Sequence, residues 1–475
     1  MLFNFLKYIN PTWYFNLIAK KQNIPYFVDY RKLDKEEQAL LEIDDGYCTE
    51  VGCLADAAYQ AWHKGIMKKD PAYSLYTSAK FQKAGKERVI ELFDGHQVTV
   101  KDDVFVTNIN DNYRFIRRFF NPLIAWYILF IRLFSFHNPA KELSGFLRSL
   151  KVKRVDLYKK NSWLLLKNDY DVFDSALIRQ QPKVSVIIPT LNRYNYLKDV
   201  LSDLEKQDYK NFEVIVCDQS DSFNAEFYKA WHLHLKVIRQ DEKALCKARN
   251  VSMNEALGEY ILLFDDDSRV QKDWILQHLK CLDYFNADIS CGVSLSVVGD
   301  IIPQNYSFFR WSDQLDTGNV MFRKGLLKTS GLLDRQFEGQ TNEDAEFGLR
   351  LYLLGFKAIS NHLAKRIHLK ASTGGMREMS GWDQLRPNKF FKPRPIPSLL
   401  YLSRKYFGNH ISLLMLLFSV PSSIVPYRFK KKKWLKILSI IFVFVIWPFI
   451  IVQVIMSWQS ASAKMKKGPK ISILN

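Results

Sequence analysis

Three short apolar runs stand out in the middle of the chain. Val184-Ser185-Val186-Ile187-Ile188-Pro189-Thr190 is closed by a proline, residues 212–218 repeat the pattern, and Tyr260-Ile261-Leu262-Leu263-Phe264-Asp265 repeats it again. Runs this short, bounded by polar loops, predict strands buried on both faces. Between them, residues 196–207 and 244–256 suit helices. The alternation predicts an α/β domain built on a mostly parallel sheet flanked by helices. Ligands of such sheets bind beyond the carboxyl ends of the strands. Each run ends there in a polar residue: Thr190, Asp218 and Asp265.

The flanking regions read differently. Residues 1–180 mix aromatic and charged residues without a motif and form an N-terminal region of unknown fold. Within it, residues 119–131 are uncharged, too short to span a bilayer, and bordered by Arg114, Arg117, Arg118 and Arg132. A helix in a membrane interface and a buried core helix both satisfy that length. A central domain is expected over 181–390. Residues 391–475 predict a C-terminal membrane-associated helical region, in which 437–456 is an uncharged run long enough to cross a bilayer. Residues 411–427 are shorter and contain Pro421 and Pro426, which suits a kinked or interfacial element. If both runs crossed, Lys430 to Lys433 and Lys436 would lie opposite the central domain, against the positive-inside tendency. One interfacial element and one span, or a hairpin that does not cross fully, is therefore expected, with Lys464, Lys466, Lys467 and Lys470 leaving the orientation open.

Charge sharpens this picture. The 475 residues carry a formal net charge of +19, but no acidic residue follows Asp383, whereas 16 Lys and Arg do. Cations placed beside apolar runs point to an anionic membrane surface as partner, and away from nucleic acid. With 48% hydrophobic and 14% aromatic residues, most of the chain is expected to fold. The six cysteines lack zinc-site spacing and are read as reduced packing residues. Lys7 interrupts the first apolar stretch and Pro11 follows it, without a small-residue cleavage site. The expectation is a soluble part at the cytoplasmic face of the cell membrane.

Chemistry concentrates at Asp265-Asp266-Asp267. Adjacent carboxylates repel one another, and a bound Mg2+ or Mn2+ relieves the conflict through hard oxygen ligands. On an extended segment alternate residues face the same side, so Asp265 and Asp267 share a target while Asp266 points elsewhere. The competing structural role is an acidic turn, with Ser268 capping a helix over 272–282.

Residues 183–372, roughly 40% of the chain, resemble family 2 glycosyltransferases with the GT-A fold. The resemblance rests on several motifs in the family's order. Residues 184–193 look like the opening strand whose end meets the nucleotide, which implies contacts from Pro189, Thr190 and Asn192. Asp218, in Val214-Ile215-Val216-Cys217-Asp218, matches the aspartate that binds the base. Ala248-Arg249-Asn250 resembles a helical element that helps hold the nucleotide through Arg249. By the same resemblance Asp265 contacts the ribose and Asp267 the metal. Further on, Asn342-Glu343-Asp344 resembles the acceptor-side segment, with Asp344 as general base. His368 follows where many members place a histidine near the metal or diphosphate. The plain alternatives are a helix start complementing the macrodipole at 342–344 and a structural histidine at 368. Arg350 and Phe347 read as packing and charge pairing, and Gly355 as a helix C-terminal cap. Lys365, Arg366 and Lys370 suit either phosphate attraction or a charged surface.

Together these features imply an inverting, metal-dependent transferase that moves a sugar from a nucleotide diphosphate, a UDP-sugar first among them, onto a hydroxyl. A glycan or lipid-linked acceptor and a role in cell-envelope polysaccharide synthesis are expected from the membrane-associated C-terminus. No Gln-x-x-Arg-Trp motif is present, which favours transfer of single sugars. A nucleotidyltransferase on a similar sheet and a non-catalytic membrane interaction protein are the alternatives.

Overall fold

The computed structural model describes residues 1–19, 27–68, 70–74, 87–101, 105, 107–296, 302–371, 375, 384–387, 391–424 and 433–474. Its strands are β1 (Ile18–Ala19), β2 (Glu87–Phe93), β3 (His96–Lys101), β4 (Val184–Thr190), β5 (Phe212–Asp218), β6 (Leu235–Arg239), β7 (Tyr260–Phe264), β8 (Ser268–Val270), β9 (Ile289–Ser296), β10 (Arg310–Trp311), β11 (Asn319–Arg323) and β12 (Ala358–His368). The first three form a small antiparallel sheet in the N-terminal region, and the other nine form one sheet in the order β10-β12-β9-β11-β7-β4-β5-β6, with β8 beside β12.

The sequence-predicted strands form the parallel half of this sheet. β4 runs parallel to β5 and β7, and β5 runs parallel to β6. All residues of β4, β5 and β7 are buried, which is why they read as unbroken apolar runs. The other half departs from the mostly parallel expectation. β11 is antiparallel to both β7 and β9, and β12 is parallel to β9 but antiparallel to β8 and β10. The sheet is therefore mixed.

Its two faces alternate along each strand. Val186, Ile188, Val214, Val216, Leu262 and Phe264 join the helices Tyr194–Glu205 and Trp274–Tyr284 in one core. Ile187, Ile215, Ile261, Leu263, Val320 and Phe322 belong to a second core with the helices Leu245–Glu255 and Glu343–Leu353. That second core continues into the N-terminal region through Phe15, Tyr59, Trp62 and Phe115. The region is thus packed onto the sheet domain. Tyr14 donates to the Ala345 carbonyl at 2.6 Å, and Tyr352 donates to the Leu17 carbonyl at 2.7 Å. Residues near the N-terminus therefore hold the helix that begins at Glu343.

Segment 119–131 falls largely in the helix Pro122–Phe134, which buries Ala125, Ile128 and Leu129 and leaves its other side open. It is a surface helix, so the core-helix alternative does not hold. Near the C-terminus, the helix Pro397–Ser423 is broken at Gly408, whose φ of 81° is left-handed. Residues Pro426, Tyr427 and Lys430 to Lys432 lie outside the described residues. The long helix Lys433–Lys467 contains the run 437–456, and Ile446–Lys467 is long and apolar enough to cross a membrane by length and composition. Its end returns to the sheet domain: Gln336 donates to the Gly468 carbonyl at 2.6 Å, Lys470 N donates to Asp334 at 2.8 Å, and Leu332 N donates to the Ser472 carbonyl at 2.8 Å. Lys464 to Lys470 therefore lie on the sheet-domain side.

Candidate active site

The site grows from strand register. β4 and β7 pair through Ile187 and Leu263, and three residues further on Thr190 donates to Asp266 Oδ2 at 2.8 Å. Arg193 donates to the other Asp266 oxygen at 2.9 Å. Burial pushes the Asp266 carboxyl up to about 6 against the pull of Arg193, with neighbouring Asp267 adding to the rise. Asp266 is thus held by Thr190 and Arg193, and the same Arg193 Nη1 lies 3.5 Å from Asp267 Oδ2. Ser268 does not cap a helix; it pairs with His368 across the β8–β12 ladder, and the next helix starts at Trp274. That pairing carries His368 to Asp267.

His368 Nε2 lies 3.2 Å from Asp267 Oδ1, while the Ala371 backbone N–H donates to Asp267 Oδ2 at 3.0 Å. Burial alone would raise the Asp267 carboxyl, but the hydrogen bond and charge of His368 and the Ala371 N–H outweigh it and hold it below the ordinary value. Ligand atoms of Asp265, Asp267 and His368 lie within 4.8 Å of one another. Two carboxylates and an imidazole at this spacing fit a small divalent cation of the Mg2+ or Mn2+ type.

Asp265 differs from Asp267 in its company. Arg249 donates to its Oδ1 at 2.8 Å and Arg366 to its Oδ2 at 2.8 Å. Both Asp265 oxygens are thus engaged by guanidinium groups, whereas Asp267 has one arginine beside it, Arg193 at 3.5 Å from Oδ2. Arg366 is buried, and also forks onto Asp316 at 2.9 and 3.1 Å and donates to Ser294 and Ser268. It is therefore neither a surface charge nor a loose attractor of phosphate. A Cβ placed on Gly318 would lie 2.2 Å from Asp265 Oδ2, so that glycine makes room for the ion pair.

Arg249 also reaches the next segment. Its Nη1 lies 3.4 Å from Glu343 Oε1, and both side chains are 1% exposed. Asn342, left-handed at φ 82°, gives the helix Glu343–Leu353 no side-chain cap, and Asp344 accepts from the Ala345 N–H at 2.7 Å. Glu343 thus fixes the helix to the aspartate strand and leaves Asp344, partly exposed, as the carboxylate beside it. Arg350 pairs with Glu346 at 2.9 Å in full burial, and Gly355, at φ 89°, follows the helix end, both as the sequence implies.

At the neighbouring strand ends, Thr190 and Asp218 are in register. Asp218 is completely buried and accepts from Tyr194 at 2.6 Å, Tyr228 at 2.7 Å and the Ser220 N–H at 2.8 Å. The carboxylate expected to meet a base is therefore enclosed by phenols. Asn192, left-handed at φ 57°, exchanges hydrogen bonds with Asp221 at 2.8 and 3.0 Å and ties the two loops together. Asn192, Arg193, Tyr194 and Ser222 line an open cavity of about 320 Å³. Pro189 sits in register with Cys217 beneath it, buried in β4.

Residues 185–327 match the family model described as glycosyl transferase family 2. This region is a family 2 glycosyltransferase domain. It contains Asp218, Arg249 and the aspartate cluster, whereas Asp344 and His368 lie beyond the match and join the domain through Glu343 and the β8–β12 ladder. The glycosyltransferase GlyA of Streptococcus pneumoniae serotype 4 is 27% identical over 202 residues, which are 37% of this chain and 29% of GlyA. The poly(ribitol-phosphate) beta-N-acetylglucosaminyltransferase TarS of Staphylococcus aureus is 28% identical over 188 residues, 36% of this chain and 32% of TarS. The chain thus spans about a third of the length of these relatives. The structure of S. aureus TarS 1-349 with UDP-GlcNAc has a TM-score of 0.42 and 21% identity, over 59% of this chain and 81% of that one.

Within the family 2 domain, sequence reasoning missed Arg193, Tyr194, Tyr228 and Asp316. Tyr194 and Tyr228 carried no motif, and Asp316 is recognisable only once β12 brings Arg366 to it. Gly318, directly before a strand that pairs with the aspartate strand, was a legible signal of close approach.

Proposed function

We propose that this protein transfers a sugar, with inversion, from a nucleotide diphosphate donor to a hydroxyl of a glycan or lipid-linked acceptor in cell-envelope polysaccharide synthesis. The observation that carries the proposal is the Asp265, Asp267 and His368 cluster at the carboxyl end of the parallel strands, joined through Arg249 to the helix bearing Asp344. Asp267 and His368 would hold Mg2+ or Mn2+, which when bound supplies positive charge against a leaving diphosphate. Asp265, fixed by Arg249 and Arg366, is set to accept from a ribose hydroxyl. The cavity beside Asn192 and Tyr194 is the place for the nucleotide, with Asp218 holding the phenols at its side and Pro189 and Thr190 forming the strand end beneath. Asp344 takes the proton from the acceptor hydroxyl as that oxygen attacks the anomeric carbon and the bond to the diphosphate breaks. One base and a single displacement invert the anomeric centre.

A UDP-sugar is the donor to try first, since TarS is named an N-acetylglucosaminyltransferase. The basic C-terminus and the apolar helix Ile446–Lys467 support association with the cytoplasmic face of the membrane, as an interfacial or single-pass element. The test is a panel of nucleotide sugars screened for stabilisation against heat, with Mn2+ and with chelator. A ligand at about a hundred times its Kd adds about 2.7 kcal/mol. Stabilisation by one nucleotide family, lost with chelator, is expected. No stabilisation by any nucleotide sugar would overturn the proposal.

A further inference from the structure

Two helices of the N-terminal region turn apolar stripes outward. On Pro122–Phe134, Leu123, Trp126, Phe130 and Phe134 recur at helical spacing and are 73%, 55%, 59% and 69% exposed. Phe136, in the turn that follows, is 97% exposed. On Pro139–Ser149 and its cap, Leu143, Leu147 and Leu150 continue the surface, and the Trp126 ring packs at a tilt against Phe146, 4.4 Å between centroids, to join the two helices. The inward faces are fully used: Ala125, Ile128, Leu129 and Phe146 are buried. A surface of this extent facing outward marks a contact with something apolar.

Charge says what that contact is. Between residues 119 and 155 the only acidic residue is Glu142, which is buried against Arg132 at 2.6 Å and Tyr113 at 2.8 Å. Lys141, Arg148, Lys151, Lys153 and Arg154 are exposed in the same stretch. From residue 119 to 155 the patch is therefore apolar and edged with cations, and the first exposed carboxylate after it is Asp156. It is also continuous with the C-terminal helices: Tyr127 meets Phe418 at 5.5 Å, and Leu413 and Leu417 beside Phe418 are exposed.

We infer that the helices Pro122–Phe134 and Pro139–Ser149 form a second membrane-docking surface, which lies in the interface of an anionic bilayer with Trp126, Phe130, Phe134 and Phe136 among the acyl chains and Lys151, Lys153 and Arg154 at the headgroups. This deepens the membrane association proposed above and fails separately from it. A chain held only by residues 437–456 would bind vesicles while Phe136 stayed in water.

The test uses the full chain with Cys48→Ser and Cys53→Ser, which removes the two cysteines that are not buried. Nitroxide labels are placed through Phe136→Cys, through Leu147→Cys and, as a control on the sheet domain, through Leu257→Cys, whose parent side chain is 72% exposed. Accessibility to oxygen, which partitions into lipid, is compared with accessibility to an aqueous nickel chelate in vesicles containing phosphatidylglycerol. Labels at 136 and 147 are expected to favour oxygen at least severalfold over the control, and to lose that preference in purely zwitterionic vesicles or after Lys151→Glu, Lys153→Glu and Arg154→Glu together. Nickel access at 136 and 147 in bound protein would overturn the inference. So would equal insertion into zwitterionic vesicles, or spin–spin broadening with access to neither reagent, which would identify a second copy of the chain as the occupant.

Discussion

Arg249 and Glu343 face each other at 3.4 Å in near-complete burial, and the same guanidinium holds Asp265 at 2.8 Å. One cation therefore ties the strand that ends in the aspartate cluster to the helix that carries Asp344. Removing one member of a buried ion pair typically costs about 3–5 kcal/mol, because the remaining charge is stranded. Arg249→Ala is expected to lose stability on that scale, measured by chemical unfolding, and the double variant with Glu343→Gln is expected to recover part of it. Equal stability of the single and double variants would show that the pair does not couple.

Asp344→Asn keeps the shape of the helix start and removes the carboxylate proposed as the base. Transfer is expected to fall by about 10²–10⁴-fold, while nucleotide binding measured by calorimetry stays within a few-fold of the parent. Turnover at the parent rate would take the base role away from Asp344.

The pairing of Asp267 with His368 sets the metal expectation. His368→Ala should weaken Mn2+ binding by roughly tenfold or more, read directly by the loss of free-ion signal in paramagnetic resonance titrations. Asp266→Asn should leave that affinity nearly unchanged, since Asp266 faces Thr190 and Arg193. Equal weakening by both variants would contradict the division of labour among the three aspartates.

Asp266 also predicts a pH dependence. Its carboxyl, pushed up to about 6 from an ordinary 3.8, favours the protonated form in the folded protein. The parent should therefore lose stability relative to Asp266→Asn as pH rises from about 4 to about 6, by roughly 3 kcal/mol in total. Unfolding of both proteins at pH 4.5 and pH 7.5 measures it; a difference that is the same at both pH values would refute the shift.

What the sequence made legible follows from how each residue is paired. β4, β5 and β7 are enclosed on both faces, so their apolar runs matched the observed limits of β4 and β5, and β7 stops one residue earlier, at Phe264. β12 was invisible because Asn361, His362, Lys365 and Arg366 interrupt it, and buried Arg366 is tolerated there only through Asp265, Asp316, Ser268 and Ser294. The alternation of Asp265 and Asp267 against Asp266 was readable from strand geometry alone. The enclosure of Asp218 was not, since Tyr228 reaches it from a helix whose position the local pattern does not determine. The contacts of the N-terminal region with the sheet domain carried no motif either, since Tyr14 and Leu17 meet the helix that begins at Glu343 through a phenol and a backbone carbonyl.

The central claim is glycosyl transfer, and the most direct measurement is the identity of the nucleotide product. The full chain, solubilised in detergent, is incubated with Mn2+, a nucleotide sugar that stabilises it, and a membrane lipid and glycan extract. Free nucleoside diphosphate, formed in step with sugar incorporation and abolished by Asp344→Asn, is the predicted result. Pyrophosphate in its place would mean attack at phosphorus, and would contradict the assignment of Asp344 and of the reaction itself.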